Sequence, residues 1–130
     1  MTTGEKLISA RELLAEQLQN PAFRAEWERT ALARAVALAV VGYRVKHHLT
    51  QTKLAKRLGV RQPHVAQLEI GEHNPSLEML QRLARVLGLR FIVEVAPASA
   101  SQGPFPLPPG VEVVADVTTA DGCRVLVAAG

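Results

Sequence analysis

Three polar side chains, Gln62, His64 and Gln67, lie within one short segment of the chain. If a helix begins near Gln62, these side chains fall on its outer face while the apolar residues between them turn inward. A glutamine amide can both donate and accept hydrogen bonds, as the major-groove edge of adenine requires. Arg61, just before the helix, can reach a guanine or a phosphate. We therefore predict that Gln62, His64, Gln67 and Arg61 contact DNA bases.

A second set of hydrogen-bond donors lies at the start of the preceding predicted helix, which runs from Gln51 to Leu58. Thr50 is a good N-cap for this helix because its hydroxyl can accept from the N–H groups of the first turn. Side-chain and backbone donors at a helix N-terminus are suited to phosphate oxygens. Basic side chains along the same helix add attraction that does not depend on base sequence. The predicted phosphate contacts are Thr50, Gln51, Lys53, Lys56 and Arg57.

The residues between and after these helices predict a tight turn and a sharp end. Gly59 breaks the first helix where a positive φ is needed, and Val60 provides an apolar plug for the turn. Pro63 lies in the first turn of the second helix, where its missing N–H costs little. Gly71 ends that helix. Two short helices joined in this way have the outline of a helix-turn-helix.

The segment Leu49–Glu72 resembles the helix-turn-helix of the phage repressor/Cro family. The family pattern appears as Gln51, Leu54-Ala55, Gly59, Gln62 and Leu68-Glu69-Ile70-Gly71. The resemblance implies a structural ion pair between Arg44, seven residues before Gln51, and Glu69 of the second motif helix. Such a pair would fix the angle of that helix, and removing one partner of a buried pair costs roughly 3–5 kcal/mol. Two exposed charges are the alternative.

The charge distribution is consistent with a polyanionic partner. The formal net charge is +3, but residues 44–90 carry nine basic and three acidic side chains and all four histidines. Residues 1–43 carry five of each sign, and residues 91–130 carry one basic and four acidic side chains. The basic excess therefore coincides with the helix-turn-helix. Without that motif, a basic surface that is merely solvated would be an equally good interpretation.

Residues that could support enzyme chemistry are sparse. Cys123 is the only cysteine, so the sequence contains neither an internal disulfide nor a cysteine metal cluster. His47 and His48 have no cysteine or carboxylate at ligand spacing, so we interpret them as surface or phosphate-facing residues. The sequence has no phosphate-cradling glycine loop, nucleophile elbow, secretory pattern or apolar run long enough for a bilayer. We expect a cytoplasmic protein that is not an enzyme and needs no cofactor, metal or membrane.

Two amphipathic helices are predicted before the motif. The first, Glu5–Gln19, has one apolar stripe. The second, Pro21–Arg29, begins at the proline of an Asn-Pro pair and carries two aromatic residues one turn apart. Core packing is the simpler interpretation of these aromatics, and anchoring a partner protein is the alternative. The candidate anchors are Leu14, Leu18, Phe23 and Trp27.

Two further helices should complete the bundle. Thr30–His48, rich in Ala and Val, is expected to be central and buried, with Val45 among the residues of its apolar face. It either continues the helix from Pro21 or breaks near Thr30. Ser76 caps Leu77–Leu87, which Gly88 ends. The residues predicted to face inward on this last helix are Leu77, Leu80, Leu83, Ala84 and Leu87.

The C-terminal part of the chain changes character. Leu89–Val95 alternates and is β-branched, which indicates a strand; Pro97–Gly110 contains five of the eight prolines and predicts a linker. Val111–Val117 and Arg124–Ala128 predict a β-hairpin around Asp121-Gly122. The strand needs a partner, either its symmetry mate in a dimer or the tail of its own chain. The hairpin packs on that strand or on another chain.

The predicted fold is mainly α: a repressor-like helical bundle with a helix-turn-helix, plus a C-terminal strand and a short β-hairpin. We divide the chain into N-terminal amphipathic helices (1–29, a possible contact for a partner protein), a DNA-binding domain ending in a strand (30–96), a Pro-rich linker (97–110) and the hairpin (111–130).

The overall layout resembles HigA-like antitoxins of type II toxin–antitoxin systems. This resemblance implies a dimer that binds double-stranded operator DNA, represses its own operon and neutralises a small basic toxin, a RelE/HigB-like mRNA endonuclease. One alternative is a stand-alone dimeric repressor with a dimerisation or ligand-sensing tail. The other is an interaction module that does not bind DNA.

Overall fold

The computed structural model describes residues 9–100 and 106–130. Within them the prediction of a mainly α fold with a repressor-like bundle, a strand and a hairpin is confirmed. The predicted helix start at Glu5 and residues 101–105 of the predicted linker lie outside the described residues. The elements are α1 Ala10–Gln17, α2 Pro21–Arg29, α3 Ala31–Lys46, α4 Gln51–Leu58, α5 Gln62–Ile70, α6 Leu77–Leu87, β1 Phe91–Pro97, β2 Glu112–Thr118 and β3 Cys123–Ala129.

The first two helices are fixed by local capping. The Ser9 hydroxyl accepts from the Glu12 N–H and the Glu12 carboxylate accepts from the Ser9 N–H, so α1 begins with a capping box. The Asn20 side chain accepts from the N–H groups of Ala22 and Phe23, and Pro21 occupies the first helical position of α2. No residue of α1 is buried, so this helix lies on the surface.

The helix chain breaks at Thr30, so α2 and α3 are separate. The Thr30 hydroxyl donates to the Glu26 carbonyl at 2.8 Å and does not cap α3. Asn74, in the loop between α5 and α6, provides the cap instead: its Oδ1 accepts from the Ala33 N–H at 3.0 Å. Its Nδ2 donates to the Arg29 carbonyl at 2.9 Å. One side chain therefore satisfies the end of α2 and the start of α3.

Helix α3 is central because two of its faces are buried. Val36 and Val40 enter a core shared with α4, α5 and α6, as the sequence predicted. Another face packs against β2 and β3. Val127 and Ala128 of β3, whose side chains point to opposite faces of the sheet, are both fully buried. The buried residues of the helical core are Val36, Val40, Leu54, Ala55, Leu58, Val65, Leu68, Met79, Leu83 and Leu87.

Two predicted inward positions are wrong. Leu77 is 72% exposed because it is the first residue of α6, and the buried face of that helix runs through Met79, Leu83 and Leu87 at four-residue spacing. Met79, which we did not predict to be buried, lies on that face. Val45 is 64% exposed because it points away from both buried faces of α3.

The three strands form one antiparallel sheet in the order β1-β3-β2. Val127 of β3 lies between Val93 of β1 and Ala115 of β2. The strand after α6 therefore pairs with the tail of its own chain, the second of the two alternatives. Gly122, at a φ of +89°, forms the hairpin turn, as the Asp-Gly pair predicts.

We expect Asn74→Ala to lower the free energy of unfolding by about 1–2 kcal/mol, because it removes a helix cap and leaves the Arg29 carbonyl without its donor. Denaturant unfolding followed by circular dichroism measures the change. Asn74→Asp should lose less, because it keeps the Oδ1 acceptor at the positive end of α3.

His73→Ala is the matched control, since His73 is an exposed neighbour in the same loop. Equal unfolding midpoints for Asn74→Ala and His73→Ala would contradict this role for Asn74.

Candidate nucleic-acid interface

The turn between α4 and α5 is shaped by its capping residues. The Thr50 hydroxyl accepts from the Lys53 N–H at 3.1 Å, and Gly59 ends α4 in the left-handed region at a φ of +71°. Leu54 and Leu58 of α4 are buried against α5 and α6. Both helices are therefore anchored by their inner faces, and their outer faces are free to present polar side chains.

The end of α5 lies directly against α3. Gly71 has a φ of +72°, and a Cβ atom there would lie 3.3 Å from the Cβ of Ala37 and 3.4 Å from the carbonyl oxygen of Ala33. A side chain at this position would be both strained and crowded. Gly71 and the small residues of α3 thus bring the two helices together.

Helix α5 presents the predicted base-contacting side chains on the surface. Gln62, His64 and Gln67 are all exposed, while Val65 and Leu68 are buried. Arg61 occupies the N-cap position, is exposed and makes no side-chain cap hydrogen bond. The structure therefore brings these four polar residues to the exposed surface of α5 and its N-terminal end. Their contact with DNA bases stays a prediction.

The predicted ion pair joins α3 to α5. Arg44 donates through Nε to Glu69 Oε2 and through Nη2 to Glu69 Oε1, each at 2.8 Å. Its Nη1 also donates to the Leu49 carbonyl at 3.3 Å. The Glu69 side chain is only 8% exposed and that of Arg44 25%. The two residues are thus a bidentate, largely buried pair, not two exposed charges.

Two glutamine side chains extend this ion pair to the surface. Gln51 Nε2 donates to Glu69 Oε1 at 3.2 Å, and Gln62 Nε2 donates to Gln51 Oε1 at 2.9 Å. Gln51, predicted to contact a phosphate, thus also ties the start of α4 to both ends of α5. This chain of hydrogen bonds was not predicted, because spacing along the sequence does not reveal contacts between polar side chains on different helices.

The ionisation of Glu69 reflects competing effects. Burial alone would raise the pKa of this carboxyl, but hydrogen bonds from Arg44 and Gln51 and the positive charge of Arg44 outweigh it. The net result is a lowered pKa. The hydrogen bond to Glu69 also raises the pKa of Arg44. The folded state therefore favours the charged form of both partners.

The basic side chains of α4 surround this site. Lys53, Lys56 and Arg57 are exposed, and Arg57 Nη1 donates to the Tyr43 hydroxyl at 3.1 Å. His47 stacks on Tyr43 at a centroid distance of 4.1 Å, and both His47 and His48 are exposed. In residues 9–100 and 106–130, no group of three or more His, Cys, Asp or Glu side chains could hold a metal ion. No helix in the same ranges is long and apolar enough to cross a membrane.

The candidate partner anchors lie on α1, on the turn that follows it and on α2. Leu14, Leu18, Phe23 and Trp27 are each partly buried, and the rings of Phe23 and Trp27 stack at 6.2 Å. The Arg34 guanidinium lies 3.5 Å from the Trp27 ring centroid and hydrogen-bonds to the Trp27 carbonyl. Burial lowers the pKa of Arg34. These contacts favour a packing role for Trp27.

Comparison with known proteins agrees with this geometry. A family model described as Helix-turn-helix matches residues 43–92. The chain is 44% identical over 49 residues to an uncharacterized HTH-type transcriptional regulator from Archaeoglobus fulgidus, covering 38% of this chain and 69% of that protein. A similar regulator from Methanocaldococcus jannaschii is 40% identical over 49 residues, covering 38% and 74%. The chain belongs to the helix-turn-helix family of Cro/repressor type, and the predicted resemblance is confirmed.

A longer similarity concerns an antitoxin. The chain is 40% identical over 78 residues to Antitoxin HigA1 from Mycobacterium tuberculosis, which covers 58% of this chain. The match spans about half (52%) of that antitoxin. The names of these relatives describe regulators and an antitoxin, not enzymes. No solved structure shows a significant match to the chain.

We expect Glu69→Gln to lower the free energy of unfolding at pH 7 by about 3 kcal/mol, the lower end for breaking a buried ion pair, because Arg44 keeps its charge without a counterion. The pKa of Glu69 is lower in the folded state than its unfolded value of about 4.3, so the pair stabilises the fold fully above that pH. This contribution is lost as the pH falls through the folded pKa. Urea unfolding from pH 7 to pH 3 measures it.

The difference between wild type and Glu69→Gln should therefore shrink below about pH 4. Comparing the two proteins at each pH cancels the titration of Asp116, whose pKa is lowered by its hydrogen bond to Arg124 and which is present in both. A difference that stays constant down to pH 3 would contradict the ion-pair explanation.

Proposed function

We propose that this protein is a sequence-specific DNA-binding antitoxin that represses its own operon and neutralises a small basic toxin. The observation that carries the DNA-binding part is the exposed polar face of α5. The Arg44–Glu69 pair and the Gln51–Gln62 contact hold that face at a fixed angle beside α4. A rigid helix with two exposed glutamines and a histidine suits base edges in a major groove.

The proposed roles divide along the two helices. Gln62, His64, Gln67 and Arg61 supply base contacts, while the start of α4 supplies phosphate contacts. Lys53, Lys56 and Arg57, all exposed, add attraction to any duplex. Because one such unit covers a single half-site, stable binding calls for a dimer on a palindromic operator.

The antitoxin part is supported by the similarity to HigA1. It is also supported by the apolar side chains of α1 and the acidic residues of the C-terminal part. Helix α1 holds Leu13 at 49% exposure, and Leu14 and Leu18 are partly exposed beside it. Residues 91–130 carry one basic and four acidic side chains, which complements a basic partner. The toxin is therefore proposed to contact α1 and α2, the C-terminal sheet, or both, and to be a RelE/HigB-like mRNA endonuclease.

A stand-alone dimeric repressor is the second candidate. It is favoured by the similarity to archaeal HTH-type regulators. The match spans 69% and 74% of the length of two of these regulators, against 52% of HigA1. In that case the C-terminal sheet serves dimerisation or ligand sensing, and no toxin is bound. A cytoplasmic location is proposed for both candidates.

The DNA-binding proposal predicts two distinct effects. Gln67→Ala should weaken binding to the operator by about 1–3 kcal/mol, roughly 5- to 150-fold, and leave binding to unrelated DNA nearly unchanged. Lys56→Ala should weaken binding to both DNAs and reduce the salt dependence by about one counterion. Fluorescence anisotropy with the DNA upstream of the reading frame, at several salt concentrations, separates the two.

Gln17→Ala is the matched control, because Gln17 is an exposed glutamine on α1, away from α4 and α5. If the protein shows no salt-dependent affinity for any duplex and Gln67→Ala changes nothing, the interaction-module alternative is preferred.

The antitoxin proposal predicts a stable complex with the product of the adjacent reading frame. Light scattering on the co-expressed pair should give the mass of a mixed assembly. Leu14→Glu should weaken this complex about tenfold or more if α1 anchors the toxin. Leu77→Glu is the matched control, because Leu77 is an exposed leucine on α6. A homodimer that elutes separately from its neighbour would favour the stand-alone repressor.

A further inference from the structure

Strand β1 forms one edge of the three-stranded sheet. Arg90 and Gly130 exchange N–H···O bonds in both directions, at 2.8 and 3.1 Å, so the even-numbered residues of β1 point their backbone groups toward β3. Phe91, Val93 and Val95 therefore direct their N–H and C=O groups to the opposite edge. Within residues 9–100 and 106–130, nothing hydrogen-bonds to those outward groups.

The two outer edges of the sheet differ. The pairing of β2 with β3 shifts register between Val113 and Ala115, and such a bulge protects an edge from pairing. The pairing of β1 with β3 is regular from Phe91 to Pro97. Its edge also carries apolar side chains, with Val93 at 40% and Val95 at 66% exposure, and no lysine. Strand β1 is the edge suited to another strand.

The outward groups of β1 are arranged symmetrically about Val93. If two copies of β1 run antiparallel with Val93 opposite Val93, then Phe91 of each copy lies opposite Val95 of the other. All three facing pairs exchange backbone hydrogen bonds, about six in total. Each exposed Val95 lies opposite Phe91 of the other copy, whose ring packs against its own helical core. Pro97, which has no N–H, lies beyond the paired region.

The charges on this strand fit the same register. Arg90 of one copy lies diagonally across from Glu94 of the other copy, and the reverse contact repeats it. Ile92 is directly opposite Glu94, so no like charges face each other. A shift of two residues in one direction would place Glu94 opposite Glu94. The opposite shift would place Val95 opposite Leu89, which lies outside β1.

We infer that β1 pairs with β1 of a second copy of this chain, across a two-fold axis at Val93, to form one continuous sheet. The inference rests on the proposed function in that a helix-turn-helix needs a dimer to bind two half-sites. It names the surface that makes this dimer. The surface is self-complementary in hydrogen bonds, side-chain shape and charge.

Disulfide trapping tests this pairing. The cysteines introduced by Val93→Cys in two copies, made in a Cys123→Ser background, should lie about 5.5 Å apart at Cα, within the range for a disulfide. Mild oxidation of the full-length protein should then link most chains into dimers on a non-reducing gel. Val113→Cys in the same background is the matched control, since Val113 is 48% exposed on the other edge strand and should stay largely unlinked.

A second variant tests the edge without cysteine chemistry. Val93→Pro removes an outward N–H and no β1–β3 hydrogen bond, so light scattering should show a monomer with unchanged circular dichroism. Val95→Lys is a second variant for the case in which proline disturbs the strand. Val95 is more exposed than Val93, and a lysine there should also weaken the dimer. A separate variant, Leu38→Cys, tests the exposed side of α3 as an alternative dimer surface. The inference is overturned if the wild-type protein is dimeric but Val93→Cys does not link its chains, or if only Leu38→Cys links them.

The outcomes separate this inference from the proposed function. Linking of Val93→Cys without any DNA binding would support the dimer and contradict the DNA-binding proposal. Operator binding by a dimer that does not link at residue 93 would keep the DNA-binding proposal and overturn the β1 pairing. Linking of Val93→Cys only to a co-expressed protein would assign the edge to a different occupant and also overturn it.

Discussion

The buried ion pair between Arg44 and Glu69 is the contact on which the candidate interface depends. Glu69 is 8% exposed, and a carboxylate so far from water is tolerated only when its oxygens are satisfied. Arg44 satisfies them from α3 and Gln51 adds a bond from α4, so three helices meet at one charge. The exposed face of α5 is therefore held in place by contacts within the chain, so the proposed DNA binding would require little further ordering.

Close backbone approach complements this electrostatic constraint. Aromatic residues form only 4% of the chain, and in the part that the structure describes none of the buried core residues is aromatic. Small residues close the space between helices instead, as where Gly71 meets Ala33 and Ala37. Asn74 then fastens the loop after α5 to both sides of the α2–α3 break. Packing and hydrogen bonding thus fix the C-terminal end of α5 against α3.

The helix-turn-helix could be predicted from the sequence because its signals are local. Thr50, Gly59 and Ser76 define helix ends within a few residues of themselves. The remaining features depend on residues far apart in the sequence. Asn74 caps a helix through a residue 41 positions away, and β1 pairs with β3 and not with β2. Leu77 was misplaced because hydrophobicity shows that a residue prefers burial, but only packing decides which side of a helix is buried.

Helix α3 belongs to two layers at once, and this links the ends of the chain to the interface. One face lies in the helix-turn-helix core and another covers the sheet, where Val127 is fully buried. Arg34, stacked on Trp27 of α2, is next to Ala33, which approaches Gly71 of α5. A partner bound to α2 or the sheet therefore has a contiguous packed route to α5. Physical continuity alone produces no coupling, because a partner changes DNA affinity only if it binds two arrangements of α3 with different affinities. Because Gly71 fits tightly against Ala33 and Ala37, a shift of α3 at this point would have to move the end of α5 with it.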